Sequence, residues 1–114
     1  MKNLHAQQLC TALKKVKLSG IETADAYTIV TTIIACSDVV EKIQKMVQTT
    51  AEGLKGKEDD DLQAEINKVV NPYLDQDMNV TAISKATIDE LLKQSDLKAD
   101  DIAVIYQHMY NTKS

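Results

Sequence analysis

Residues 21–52 read IETADAYTIVTTIIACSDVVEKIQKMVQTTAE, without a glycine, proline or asparagine. Apolar or small side chains recur through the stretch at Ala26, Ile29, Ile33, Cys36, Val40, Ile43 and Val47, and the series continues through Thr50 to Leu54. Steps of three and four place them on one stripe of an α-helix. A strand competes for part of this segment, because Tyr27–Ile34 (YTIVTTII) is rich in β-branched residues. Length and an unbroken seam decide for helix. A helix of about 32 residues spans nearly 50 Å, so it projects beyond a compact domain of this size, whose radius of gyration is about 13 Å. The first half is apolar on nearly every side (Tyr27, Ile29, Val30, Ile33, Ile34, Val39), which predicts burial between several neighbours. The second half is polar outside the seam (Glu41, Lys42, Lys45, Gln48, Glu52).

Thr23 is the expected N-cap of this helix, with Asp25 in its first turn. A shorter helix precedes it over Leu4–Val16, where Leu9, Ala12, Leu13 and Val16 share a face, and Ser19-Gly20 ends it. After the long helix, Gly53 to Asp61 breaks the pattern. The acidic run Glu58–Asp61 suits a helix N-terminus. A third helix bearing Leu62, Ile66, Val69 and Val70 is expected to fold back as a hairpin, setting Leu62, Ile66 and Val69 against Val47, Ile43 and Val40. Asn71-Pro72 interrupts it, as N-cap and first residue of a short restart over Pro72–Gln76. Met78–Ile83 alternates apolar and polar, so a minor two-stranded ribbon with Val16–Leu18 is an option. Thr87 and Glu90 fit a capping box. A helix then runs to Gln94, and a last one opens at Asp100-Asp101 with Ile102, Ile105, Tyr106, Met109 and Tyr110 on its apolar face.

The fold class that follows is all-α: a four- to five-helix bundle in one domain, residues 1–114, with a long central hairpin at about 23–76 and a C-terminal helical hairpin at about 84–112. Composition agrees. Three Gly and one Pro in 114 residues leave little material for the turns of an all-β fold. Without Phe or Trp, the core must be aliphatic.

The net charge is −4, and all thirteen basic residues are Lys. Bidentate phosphate recognition rests on Arg, so nucleic acid and anionic membranes are disfavoured partners. No window approaches the roughly 18 apolar residues of a transmembrane helix. Gln7 and Gln8 fall where a signal peptide needs an apolar run. Cys10 and Cys36 read as small buried hydrophobes of a reducing compartment, with no support for a disulfide. The expected location is the cytoplasm.

Candidate sites are few. Thr87 to Tyr110 has the outline of a helix-turn-helix, but the N-terminal turn of its second helix offers Asp100 and Asp101 to a DNA backbone they would repel. Asp75, Asp77 and Asn79 begin a calcium-loop spacing that fails at the required Gly and Glu, where Val80 and Ala86 stand. His5 and His108 lie near opposite ends of the chain, and His5 with Cys10 supplies too few local ligands for a metal. There is no glycine-rich phosphate loop and no nucleophile signature. No catalytic, cofactor-binding or metal residue is therefore assigned. The seam supplies the candidate interface: Ile33, Val40, Ile43, Met46, Val47 and Leu54.

The order of features (a short amphipathic helix, a long charged hairpin, Ile83-Ser84, a short helix with Leu91-Leu92, then a last apolar helix) resembles small prophage- or mobile-element-encoded helical proteins of unknown function. That resemblance covers most of the chain as pattern and carries no functional residues. It implies a non-enzymatic accessory protein. The function expected is a protein-interaction or assembly module that self-associates or binds another protein. A small DNA-binding regulator using residues 87–110 and an immunity-type helical bundle are the alternatives.

Overall fold

A computed structural model describes residues 1–54, 56 and 59–110. The long helix is continuous: α2 runs Thr23–Gly53, through the β-branched segment without a break. Each residue of that segment makes its ladder bonds within the helix. Thr28, Thr31 and Thr32 also turn their hydroxyls back onto carbonyls of the preceding turn (3.0, 3.0 and 2.7 Å), satisfying polar groups on an otherwise apolar stretch.

The other elements are a 3-10 turn, Asn3–His5, leading into α1 (Ala6–Lys14), then α3 (Asp59–Leu74), α4 (Lys85–Leu92) and α5 (Ala99–Met109). The chain is all-α. The hub is α1, which packs on α2 and on α5, while α3 returns along α2 and reaches the 3-10 turn. Leu9 and Leu13 of α1, Ile29 and Cys36 of α2, and Ile105 and Met109 of α5 are almost fully buried together with Ile83 and Leu91. Fully burying one such aliphatic side chain is worth about 1.5–3 kcal/mol. A nine-residue helix is marginal alone, so α1 owes its helicity to this double docking.

Long reach shapes the molecule. The principal extents are 53 × 28 × 20 Å, with a radius of gyration of 17.0 Å, well above the roughly 13 Å of a compact chain this size. The excess comes from the α2–α3 arm. There Lys42 stacks its ammonium 4.7 Å from the Tyr73 ring centre, and Ile66 and Val70 of α3 are buried.

Several expectations are corrected. The first half of α2 is not enclosed. Only its inner face meets α1, and Tyr27 (71% exposed), Val30 (40%) and Ile34 (56%) look outward. The helix begins at Thr23 itself, with Glu22 as an N-cap that makes no side-chain cap bond. Pro72 does not restart a helix but lies inside α3. It falls in the last turn, where only the bond to Lys68 is forfeited, and Asp75 N–H still donates to the Asn71 carbonyl (3.0 Å).

No ribbon joins Val16–Leu18 to Met78–Ile83 among the described residues. Met78 N–H instead donates to the Met1 carbonyl (2.8 Å) and Ile83 N–H to the Met109 carbonyl (2.8 Å). The 16–18 segment is clasped by one side chain: Lys17 N–H donates to Gln94 Oε1, and Gln94 Nε2 donates back to the Lys17 carbonyl, both at 2.8 Å. The capping box at Thr87 is replaced by an N-cap three residues earlier, Ser84, whose Oγ accepts from Thr87 N–H at 3.3 Å. Glu90 pairs with Lys93 instead.

By length and composition, α2 also qualifies as a candidate membrane span, with an 18-residue window of mean hydropathy 1.2, which the sequence reading did not anticipate. Only a minor share of that window is buried, 17%: Ile29 and Cys36 belong to the core, and Ile33, Val39 and Val40 pack against it. Glu58 of the acidic run, Lys55 of the interhelical turn and residues 111–112 lie outside the described residues.

Candidate functional site

The apolar seam predicted as an interface is largely covered from within. Ile33 and Val40 pack against the buried core. Ile43, Met46 and Leu54 are half-buried, and Val47 sits at 36% exposure. Met46 shares a shallow hollow with Val69 of α3. The most open apolar side chains of the chain lie elsewhere.

One set is the outer face of α2. Tyr27, Val30 and Ile34 follow at steps of three and four, so they form one stripe over about two turns. Asp38 and Glu41 end it. The other set lines a groove of about 800 Å³ between α4 and α5, formed by Ile88, Leu92, Ala99, Ile102, Ala103 and Tyr106, with Lys85 and Asp89 on its rim. Leu92 (59%) and Tyr106 (51%) stand well out of it. Tyr106 stacks on Tyr110, ring centres 4.5 Å apart. Sequence reasoning assigned Tyr106 to the packed face of the last helix. Its i,i+4 stack with Tyr110 holds it at the surface instead.

The polar constellation with the clearest geometry is structural. Asp25, in the first turn of α2, accepts hydrogen bonds through Oδ2 from Ser84 Oγ (2.6 Å), Ser84 N–H (3.3 Å) and Thr87 Oγ1. Burial pushes its carboxyl up, but the donors from Ser84 and Thr87 outweigh that and hold it below the ordinary value. The arrangement ties the start of α2 to the start of α4, and a carboxylate held below its ordinary value is a poor base for either hydroxyl. Asp101 is held below the usual carboxylate range by the Lys98 backbone N–H (3.1 Å) and by Lys15 Nζ (3.0 Å). This carboxylate, in the first turn of α5, therefore serves to pin α5 to α1.

Cys10 and Cys36 are free and buried. Cys10 Sγ lies 3.3 Å from Ser37 Oγ, and burial, with a smaller contribution from Cys10, pushes the Cys36 thiol up to about 11. Cys36 is therefore not an activated nucleophile. Among the described residues no three His, Cys, Asp or Glu side chains converge on one point. Asp75 and Asp77 are occupied at the N-terminal turn, where Asp75 faces Lys2 Nζ at 3.9 Å and Asp77 makes a backbone bridge to Lys2. His5 and His108, distant in sequence, are brought side by side.

No protein-family model, no curated protein and no solved structure matches this chain.

Proposed function

We propose that the chain is a non-enzymatic self-association module, and that two copies meet through the outer face of α2. The observation that carries this is the stripe of Tyr27, Val30 and Ile34, exposed on a helix whose opposite face is already spent on α1. Large apolar side chains standing in register on a rigid helix mark an interaction surface more than isolated ones do. A two-fold pair would bring each stripe against its own copy, with Tyr27 as the aromatic anchor. The absence of an activated base or nucleophile beside the polar clusters of the described residues fits a binding role.

The reading as a DNA regulator is weaker, because Asp100 is exposed at the start of α5 and Asp101 is committed to Lys15. On the resemblance in helix order we extend the proposal to a phage or mobile-element accessory role. The two free thiols suit a reducing cytoplasm.

Light scattering coupled to gel filtration tests the central claim. The wild-type chain is expected to run as a dimer at micromolar to high-micromolar concentration. Ile34→Lys, which places an ammonium in the stripe without touching the core, is expected to run as a monomer with an unchanged circular dichroism spectrum. A wild-type monomer at several hundred micromolar, or a dimer indifferent to both Ile34→Lys and Tyr27→Lys, refutes the proposal.

A further inference from the structure

Packing of α1 against α5 sets the imidazole of His5, at the end of the 3-10 turn, beside that of His108, in the last turn of α5. The ring centres are 5.2 Å apart and the planes tilted by 33°. We propose that His5 and His108 form a two-histidine site for one divalent transition-metal ion of the zinc or nickel class, each ring giving one nitrogen and water completing the shell.

The spacing is the first argument. A histidine nitrogen sits about 2.1 Å from a bound zinc and the ring centre about 1.1 Å further, so two rings on one tetrahedral ion stand about 5.2 Å apart. The rings already have that separation. They ride on elements anchored by buried neighbours, Asn3 and Ala6 beside His5, Ile105 and Met109 beside His108. Little ordering is therefore left for the ion to impose.

Access is the second argument. Both rings are half-buried rather than sealed. His5 lines an open hollow of about 590 Å³ with Gln7, Gln8, Thr11, Asp100 and Asp101. That hollow admits water, and the exposed Asp100 carboxylate lies on its wall. Imidazole donors without thiolate or a full carboxylate set favour zinc, nickel and copper over calcium or magnesium. The inference stands apart from self-association and does not depend on it.

Titration calorimetry of the untagged chain at pH 7.5 with zinc chloride and nickel chloride tests the site. One ion per chain is expected with a dissociation constant in the tens of micromolar, as suits two protein ligands in place of three or four. His5→Asn and His108→Asn should each weaken binding by more than about tenfold. Lowering the pH should weaken it, because protons compete with the ion for the imidazole nitrogens. Histidine-ring proton–carbon spectra of the wild-type chain supply a readout that needs no variant: both imidazoles should shift together on adding zinc. No saturable heat at millimolar metal, binding unchanged in both variants, or ring signals that stay still overturns the proposal.

Discussion

Removing the Asp25 carboxylate tests how the two ends of the molecule's polar scaffold are joined. In Asp25→Ala, Ser84 N–H, Ser84 Oγ and Thr87 Oγ1 all lose an ionised acceptor. A hydrogen bond to a charged group contributes about 1.5–3 kcal/mol when well shielded. Ser84 is exposed, so water replaces most of its share, and that contribution must be discounted for solvent screening. Thr87 is buried at 2% exposure but keeps Ser84 Oγ as a neighbour at 3.3 Å. A further few tenths of a kcal/mol is lost because Asp25 sits in the first turn of α2, where the helix dipole favours an anion.

The sum is a destabilisation of about 2 kcal/mol, which corresponds to a fall in melting midpoint of roughly 6–10 °C for a domain this size. Urea unfolding followed by circular dichroism measures it directly. The sign with pH is fixed. The folded carboxyl titrates below its ordinary value of 3.8, so its contribution is present above that value and disappears as pH falls through the folded one. The wild-type chain should therefore lose its advantage over Asp25→Ala in strong acid. In a double-mutant cycle with Ser84→Ala, the coupling energy should be about 1 kcal/mol or more. An Asp25→Ala chain within about 0.5 kcal/mol of wild type, the scatter seen between distant additive sites, would show that the network adds nothing to stability.

Leu13→Ala removes a side chain buried to 1% at the junction of α1 with its neighbours; it should cost about 2–5 kcal/mol in chemical denaturation and leave the exposed face of α2 untouched. Cys36, with a thiol near 11 and no exposure, should resist iodoacetamide at pH 8 in the native chain and react at the ordinary rate once urea unfolds it; a fast native reaction timed by mass spectrometry contradicts its placement. Gln94→Ala breaks both bonds of the Lys17 clasp and should lower stability by about 1 kcal/mol, with faster amide exchange at Lys17.

What the sequence disclosed and what it hid follow a physical division. The α2 helix was readable because its seam is local: eight successive spacings of three and four leave few other conformations for the segment. The β-branched run did not mislead once length was weighed, since intrinsic propensity differs by only about 0.7 kcal/mol per residue. The outward stripe was misjudged for a different reason. Apolar residues all round a helix state a demand for partners, not how many partners the chain contains, and here α1 and α3 are its main partners, with the start of α4 meeting only its first turn. The Ser84 cap was hidden behind a better-looking Thr87–Glu90 pattern, and what selected Ser84 was a carboxylate 59 positions away. Alternation in Met78–Ile83 suggested a ribbon with Val16–Leu18 that does not form among the described residues; the segment bonds elsewhere. Its partners, Met1 and Met109, belong to the two ends of the described chain and leave no trace in the spacing. The histidine pair is the extreme case, because nothing near either residue marks the other.

The double docking of α1 has a consequence for how the polypeptide is made. One flank of this nine-residue segment is met by α2, which follows it directly, but the other waits for α5, the last helix described. During synthesis Leu9 and Leu13 must stay half-clothed until α5 has emerged and docked. Loss of α5, by a protease cut near residue 98, would strip α1 on that flank as surely as it removes α5. These two segments, some ninety positions apart, therefore survive or fail together.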